Sequence, residues 1–222
     1  MKKFILALAL GSAVVANAQD SEFKPNAGSN NLEFQFAPLG GSPIGISGIR
    51  FRRFTTPTSA MRANVFLGIN HTSTITQDAD NNGAKELKTK ETTIDFSVRP
   101  GIEKHFSGTD RLSPYVGAEV DLGIRTSSKK QEVQNGTDVA ENKIKNETGA
   151  FRFGINAVAG FDFYFAKKLY LGAELGFGVA LNTPLKTKTT SASTTVESKV
   201  DKDNTINFGP NVVSAIRLGY IF

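Results

Sequence analysis

Two histidines and no cysteine restrict the chemistry this 222-residue chain can carry. His71 and Ser73 stand two apart, so on a strand their side chains share a face, where an imidazole can serve a hydroxyl as general base. No carboxylate can be assigned to orient that imidazole. A His and a Ser opening a polar loop is the favoured reading, and no enzyme is expected. His105 adjoins Phe106 at a strand end and reads as an interfacial imidazole. Metal ligation needs clustered His or Cys, which the chain lacks. Asp78, Asp80, Asp138, Glu141, Asp201 and Asp203 read as solvated loop charge. No glycine-rich phosphate loop occurs, because the glycines follow strand parity. No catalytic residue, metal site or cofactor is expected.

The remaining charges are more selective. Glu33, Asp95, Glu103, Glu119, Asp121, Asp162 and Glu174 share the minor face of alternating segments with Arg50, Arg52, Arg62, Arg99, Arg125, Arg152 and Arg217. Every base in that set is Arg. The lysines fall in segments read as loops, turns or tails, except Lys104 near a strand end. A narrow interior filled by fixed ion pairs favours the planar, permanently charged guanidinium over a flexible ammonium. A packed plug of salt bridges is therefore expected, with a selectivity lining or relay as the alternative.

The elements that must hold these charges follow from a period of two. Phe151, Phe153, Ile155, Ala157, Ala159, Phe161, Phe163 and Phe165 alternate with Arg152, Gly154, Asn156, Val158, Gly160, Asp162 and Tyr164. Fifteen residues with one unbroken apolar face suit a strand crossing a bilayer obliquely. Seven more segments share the pattern: 32–36, 44–54 with a bulge at Gly48, 61–70, 94–103, 115–124, 169–181 and 212–222. The connections at 55–60, 107–113 and 166–168 are short. Those at roughly 72–91, 126–148 and 182–205 are long and polar, and a tight turn at 38–43 is the exception on the long-loop side. Short turns on one side and long loops on the other predict an outer-membrane barrel with both termini on the periplasmic side.

Eight antiparallel strands also describe a soluble ligand-binding barrel, so polarity decides. The larger set is apolar and the smaller mixes glycine with ionised groups, which cannot face hydrocarbon cheaply. The apolar face must point outward. The fold expected is an all-β, eight-stranded, antiparallel up-and-down transmembrane barrel over 32–222. Phe54, Phe106, Tyr115, Phe163, Phe165, Tyr170, Tyr220 and Phe222 cluster at the periplasmic strand ends and are expected to form half of an interfacial girdle, built without Trp.

Lys2 and Lys3, the apolar run Phe4 to Val15 and the small-x-small triplet Ala16-Asn17-Ala18 predict a secretory signal peptide over 1–18. With no Cys after the site, a lipid anchor is excluded. Residues 19–31 are expected to be a flexible lead-in. No other segment has the ~18 apolar residues of a membrane helix. Losing the two lysines lowers the formal charge from +5 to +3, a solvated surface rather than a nucleic-acid footprint.

The whole mature chain resembles the small bacterial outer-membrane barrels that include the OmpA transmembrane domain and the OmpX-like proteins. The terminal IRLGYIF carries this most specifically. In that family a terminal aromatic with apolar residues on alternate positions before it is the signal read by the assembly machinery, and Ile216, Leu218, Tyr220 and Phe222 fill those places. The resemblance implies a barrel without the peptidoglycan-binding domain of full-length OmpA-type proteins. It also implies export to the outer membrane through the Sec pathway, a monomer, and contacts with outer-membrane lipids and lipopolysaccharide. His71-Thr72-Ser73 is similar to the His-x-Ser of the outer-membrane lipid A deacylase, except that Thr74 replaces the following Asn. A structural or surface-interaction role in envelope integrity or adhesion is expected, with a narrow porin-like channel and then a lipid-modifying enzyme as alternatives. Lys186, Lys188, Lys199 and Lys202 are candidates for contacts with anionic head groups or a host surface, against a plain solubilising loop.

Overall fold

The computed structural model describes residues 22–36, 46–77, 86–134, 144–191, 194–198 and 204–222. Alternation of apolar and polar residues drives nearly all of this chain into strands. They are β1 (Asn30–Phe36), β2 (Ile46–Thr56), β3 (Ser59–Gln77), β4 (Glu86–His105), β5 (Leu112–Gln134), β6 (Ile144–Ala166), β7 (Leu169–Pro184), β8 (Thr187–Ser191), β9 (Thr194–Ser198) and β10 (Thr205–Ile221). Every pairing is antiparallel. The order β5-β4-β3-β2-β1-β10-β7-β6 closes on itself through β5–β6, giving a ring of eight. The hairpin β8–β9 stands outside the ring and continues the sheet from β6. It lies within the connection 182–205 that the sequence leaves as a loop.

Closure of the ring decides which face is which. Along β6, Phe151, Phe153, Ile155, Phe161, Phe163 and Phe165 are exposed, while Asn156, Val158, Asp162 and Tyr164 are buried. The apolar face points outward and the polar face into the lumen, as the charges require. The register of β1 slips between Gln35 and Phe36 where it faces Gly48 and Ile46, so the expected bulge lies beside Gly48. On β10 the ladder to β7 slips between Gly209 and Val212 and again between Val212 and Ala215. Pro210, which has no N–H to give, sits in the first slip.

Two expectations are corrected by strand length. Residues 72–91 and 126–148 are not simply loops. β3 and β4 stay paired out to Gln77 and Leu87, and β5 and β6 out to Gln131 and Ile144. A bilayer needs only ~9–11 residues of tilted strand, so these strands rise far beyond it. Consequently Lys88, Lys90, Lys129, Lys130, Lys145 and Lys188 belong to strands. The projecting segments lack apolar alternation, but each added pair on an existing ladder satisfies two more backbone groups, and their threonines suit a pleated surface.

Residues 22–31 of the lead-in lie against the barrel. Asn26 to Ser29 forms a tight turn, with Gly28 at φ +89°, closed by Ser29 N–H to the Asn26 carbonyl at 3.1 Å. Gly28 and Ser29 bond to the Phe54 backbone, and Asn30 exchanges both backbone bonds with Phe222. Phe23 packs against Tyr164, Tyr170 and Ile221, and the Arg111 guanidinium lies 4.2 Å above its ring. Asn30 and Asn31 already belong to β1. The turn 38–43 and the proposed signal peptide lie outside the described residues.

Candidate functional site

Among the described residues, the lumen is where ionised groups are concentrated away from water. Each arrives there by parity. Arg50 and Arg52 alternate with outward Ile49, Phe51 and Arg53 on β2, and Glu33 sits between Leu32 and Phe34 on β1. Glu103, Glu119, Asp121, Asp162, Glu174, Arg62 and Arg217 follow the same rule on the other strands and are buried.

Arg52 is fully buried and divides its guanidinium among three carboxylates: Nε to Glu33 at 2.6 Å, Nη1 to Glu103 at 3.0 Å and Nη2 to Asp162 at 2.8 Å. Arg217 closes the lower tier, donating to Glu33 and Asp162 at 3.0 Å each. Arg62 grips Glu174 with both Nη atoms, at 2.8 and 2.9 Å, and reaches Glu103 at 2.9 Å and Glu119 at 2.7 Å. Arg50 also takes Glu174 with two nitrogens, at 3.0 and 2.6 Å, and donates through Nε to Asn64. Charge-assisted bidentate pairs of this kind are the strong ones, and each carboxylate has several donors.

The ring order gives two of these contacts their significance. β2 and β6 are four strands apart in a ring of eight, and so are β3 and β7. Arg52–Asp162 and Arg62–Glu174 therefore run across the full diameter, at hydrogen-bond distance. Tyr115 donates to Glu174 and Tyr170 donates to Glu33, bracing the acids from the wall. An eight-stranded barrel is only wide enough for its own side chains, and here ion pairs fill the width.

Above this tier the packing loosens. Arg152 Nε and Arg99 Nε meet the same carboxylate, Asp121, at 2.9 and 3.3 Å. Both bases are only partly buried. Asp95 and Arg125 pair at 2.6 Å in an exposed position further out. A cavity of about 660 Å³ occupies this extracellular half, floored by Arg50 and Glu174.

Several sequence assignments change. Phe54, Tyr115 and Tyr170 are buried in the lumen and do not join the expected girdle. Phe106, Phe163, Phe165, Tyr220 and Phe222 are outward and exposed. The inward aromatics fill the barrel's periplasmic end together with Tyr164, and the Arg52 guanidinium lies 5.1 Å over the Tyr170 ring. His105 is not interfacial: it is buried, with Nδ1 2.9 Å from Ser113 Oγ and Nε2 3.2 Å from Glu103. The signal was present, since 54 continues the parity of 50 and 52, and 105 that of 103. Glycine makes room for this packing: a Cβ at Gly219 would fall on the Tyr170 ring, and one at Gly160 on Tyr115.

His71 and Ser73 are exposed on the outer face of β3, and the His71 ring contacts Thr92 Oγ1 at 2.9 Å. That contact is not to Ser73 or to a carboxylate. Among the described residues no three His, Asp or Glu side chains are placed to hold a metal ion. Asp78, Asp80, Asp138, Glu141, Asp201, Asp203, Lys199 and Lys202 lie outside the described residues. Lys186 is exposed, and Lys188 pairs with Glu197 across the hairpin at 2.9 Å, which raises the lysine and lowers the carboxylate from their ordinary pKa values.

No curated protein matches the sequence. Among solved structures, the N-terminal β-barrel domain of Pseudomonas aeruginosa OprF matches with 14% identity and a TM-score of 0.34, covering 89% of this chain and 100% of that one. The attachment invasion locus protein Ail of Yersinia pestis gives 12%, 0.38, 88% and 99%, and Acinetobacter baumannii CarO2 gives 12%, 0.38, 87% and 97%. The family model described as "Putative OmpA-OmpF-like porin family" matches residues 68–181, more than half of the chain. With its closed ring and outward apolar face, the chain is an outer-membrane β-barrel protein and belongs to that OmpA-like porin family.

Proposed function

We propose that the protein is a non-enzymatic barrel with a structural or surface-interaction role in the envelope, and that its lumen is a plug rather than a pore. The observation carrying this reading is the pair of ion contacts that cross the whole diameter, Arg52–Asp162 and Arg62–Glu174. Breaking them one at a time would strand a buried charge, which typically costs ~3–5 kcal/mol. The projecting strands β3 to β6, extended by the β8–β9 hairpin, offer a rigid wall for contacts with lipopolysaccharide or a host surface. Ile216, Leu218, Tyr220 and Phe222 serve as the assembly signal, and residues 1–18 direct export through the Sec pathway. The barrel works as a monomer. Its test is proteoliposome swelling: vesicles carrying the protein should swell in arabinose no faster than empty ones, and rapid swelling would contradict the plug.

A narrow channel is the second reading, favoured by the cavity of about 660 Å³ in the extracellular half. It requires the two cross-lumen tiers to part.

A further inference from the structure

The charges that fill the lumen balance overall but not by level. The lower tiers set Arg52, Arg62 and Arg217 against Glu33, Glu103, Glu119 and Asp162. The cavity above sets Arg50, Arg99, Arg125 and Arg152 in its wall against Asp95 and Glu174, with Asp121 beneath. Among the described residues, four guanidiniums there meet three carboxylates, an excess of one positive charge at this level.

That surplus is localised. Arg50 is satisfied by Glu174, and Arg125 by Asp95. Arg99 and Arg152 must share Asp121. Among the described residues, the remaining ionic partner of Arg99 is Glu119, 4.0 Å from Nη1. Ser97, buried to 2% exposure on the same wall, has no hydrogen-bond partner for its Oγ among the described residues. Two guanidiniums sharing one carboxylate, with a buried, unpaired hydroxyl two residues from Arg99 on β4, form an arrangement that a ligand completes, since unpaired buried polar groups are costly.

The rest of the wall indicates what kind of ligand. Asn182 and Asn207 bring amides, which donate to and accept from hydroxyl groups. The volume of about 660 Å³ is far larger than a bare oxoanion needs and falls in the ordinary range for small-molecule pockets. Gly123 opposes Arg152 on the neighbouring strand, and a Cβ there would stand 3.2 Å from its guanidinium, so glycine lets that side chain lie flat against the wall.

We propose that this cavity binds a small hydroxylated carboxylate of the uronic-acid type, its carboxylate held by Arg99 and Arg152 and its hydroxyls by Ser97 and the amides. The site lies above the cross-lumen ion pairs and does not depend on whether those pairs conduct. Calorimetric titration of the whole barrel chain in detergent micelles tests it, with D-galacturonate, D-galactose and inorganic phosphate as probes. Galacturonate should bind saturably at one site, and galactose and phosphate each about tenfold more weakly or less. Arg99→Gln and Arg152→Gln should each weaken galacturonate about tenfold, the loss of one charge-assisted bond. Ser97→Ala, which leaves every ion pair in place, should weaken it by a smaller factor, and Lys186→Gln should have no effect. Heat-modified migration in SDS gels verifies that each variant is folded. Absence of saturable galacturonate binding, or binding unchanged in the Arg99→Gln/Arg152→Gln double variant, would overturn the site. Phosphate binding as tightly as galacturonate would overturn the sugar-acid assignment.

Discussion

At the scale of single residues, the lumen is sorted by how many partners each base has. Arg52 and Arg62 each bind three acids and are buried completely, whereas the Arg152 side chain keeps 35% of its exposure and leans on Asp121 alone. Charge alone does not distinguish these arginines in the sequence, because position along the barrel axis emerges only from register. Arg52→Leu or Arg62→Leu should lower stability by ~3–5 kcal/mol, the cost of an uncompensated buried charge. Arg99→Leu or Arg152→Leu should cost ~1–3 kcal/mol as hydrogen bonds to a charged group are lost, and Lys186→Leu ~0–1 kcal/mol. Urea midpoints in lipid vesicles check the ranking, and equal midpoints for Arg52→Leu and Lys186→Leu would show a wet interior. Inward parity already separates Phe54, Tyr115 and Tyr170 from the lipid-facing aromatics. Clustering near strand ends suggests a girdle only when that parity is set aside.

At the scale of elements, membrane-crossing strands are legible because hydrocarbon enforces apolar alternation on one face. The projecting halves of β3 to β6 and the hairpin β8–β9 are hidden, since both of their faces meet water and no such pattern is imposed. The hairpin hangs from β6 alone and contributes no strand to the ring. Replacing residues 187–198 by a short Gly-Ser linker should therefore leave a barrel that still resists SDS until heated, and loss of that resistance would mean that the hairpin helps to close the ring. β10 makes a sharper case. Phe222, the residue after it, is 57% exposed while its backbone is bonded to Asn30 at the seam between first and last strands. Packing alone assigns that side chain ~1–3 kcal/mol. Deleting Phe222 should sharply lower outer-membrane insertion in cells while refolding of the purified variant into detergent stays nearly normal. If both yields fall together, Phe222 acts through packing and the recognition signal is elsewhere.

At the scale of the whole molecule, inside-out polarity and a closed ring follow from one another. An apolar face that must meet lipid on every strand leaves the polar face nowhere to go but a common lumen, and edges in hydrocarbon would leave backbone groups unpaired. The sequence foretells this architecture, and parity sets its strand charges on one face. Which acids meet which arginines is a matter of ring order: Arg52 and Asp162 are 110 residues apart in sequence, and only closure of the ring sets them face to face. Closure of the lumen rests on that crossing. Single-channel recording in planar bilayers, comparing the native protein with an Arg52→Ala/Arg62→Ala double variant, tests it most directly. Closure by these ion pairs predicts a silent native barrel and discrete conductance steps once both crossings are removed. Steps of similar size from the native protein would contradict it.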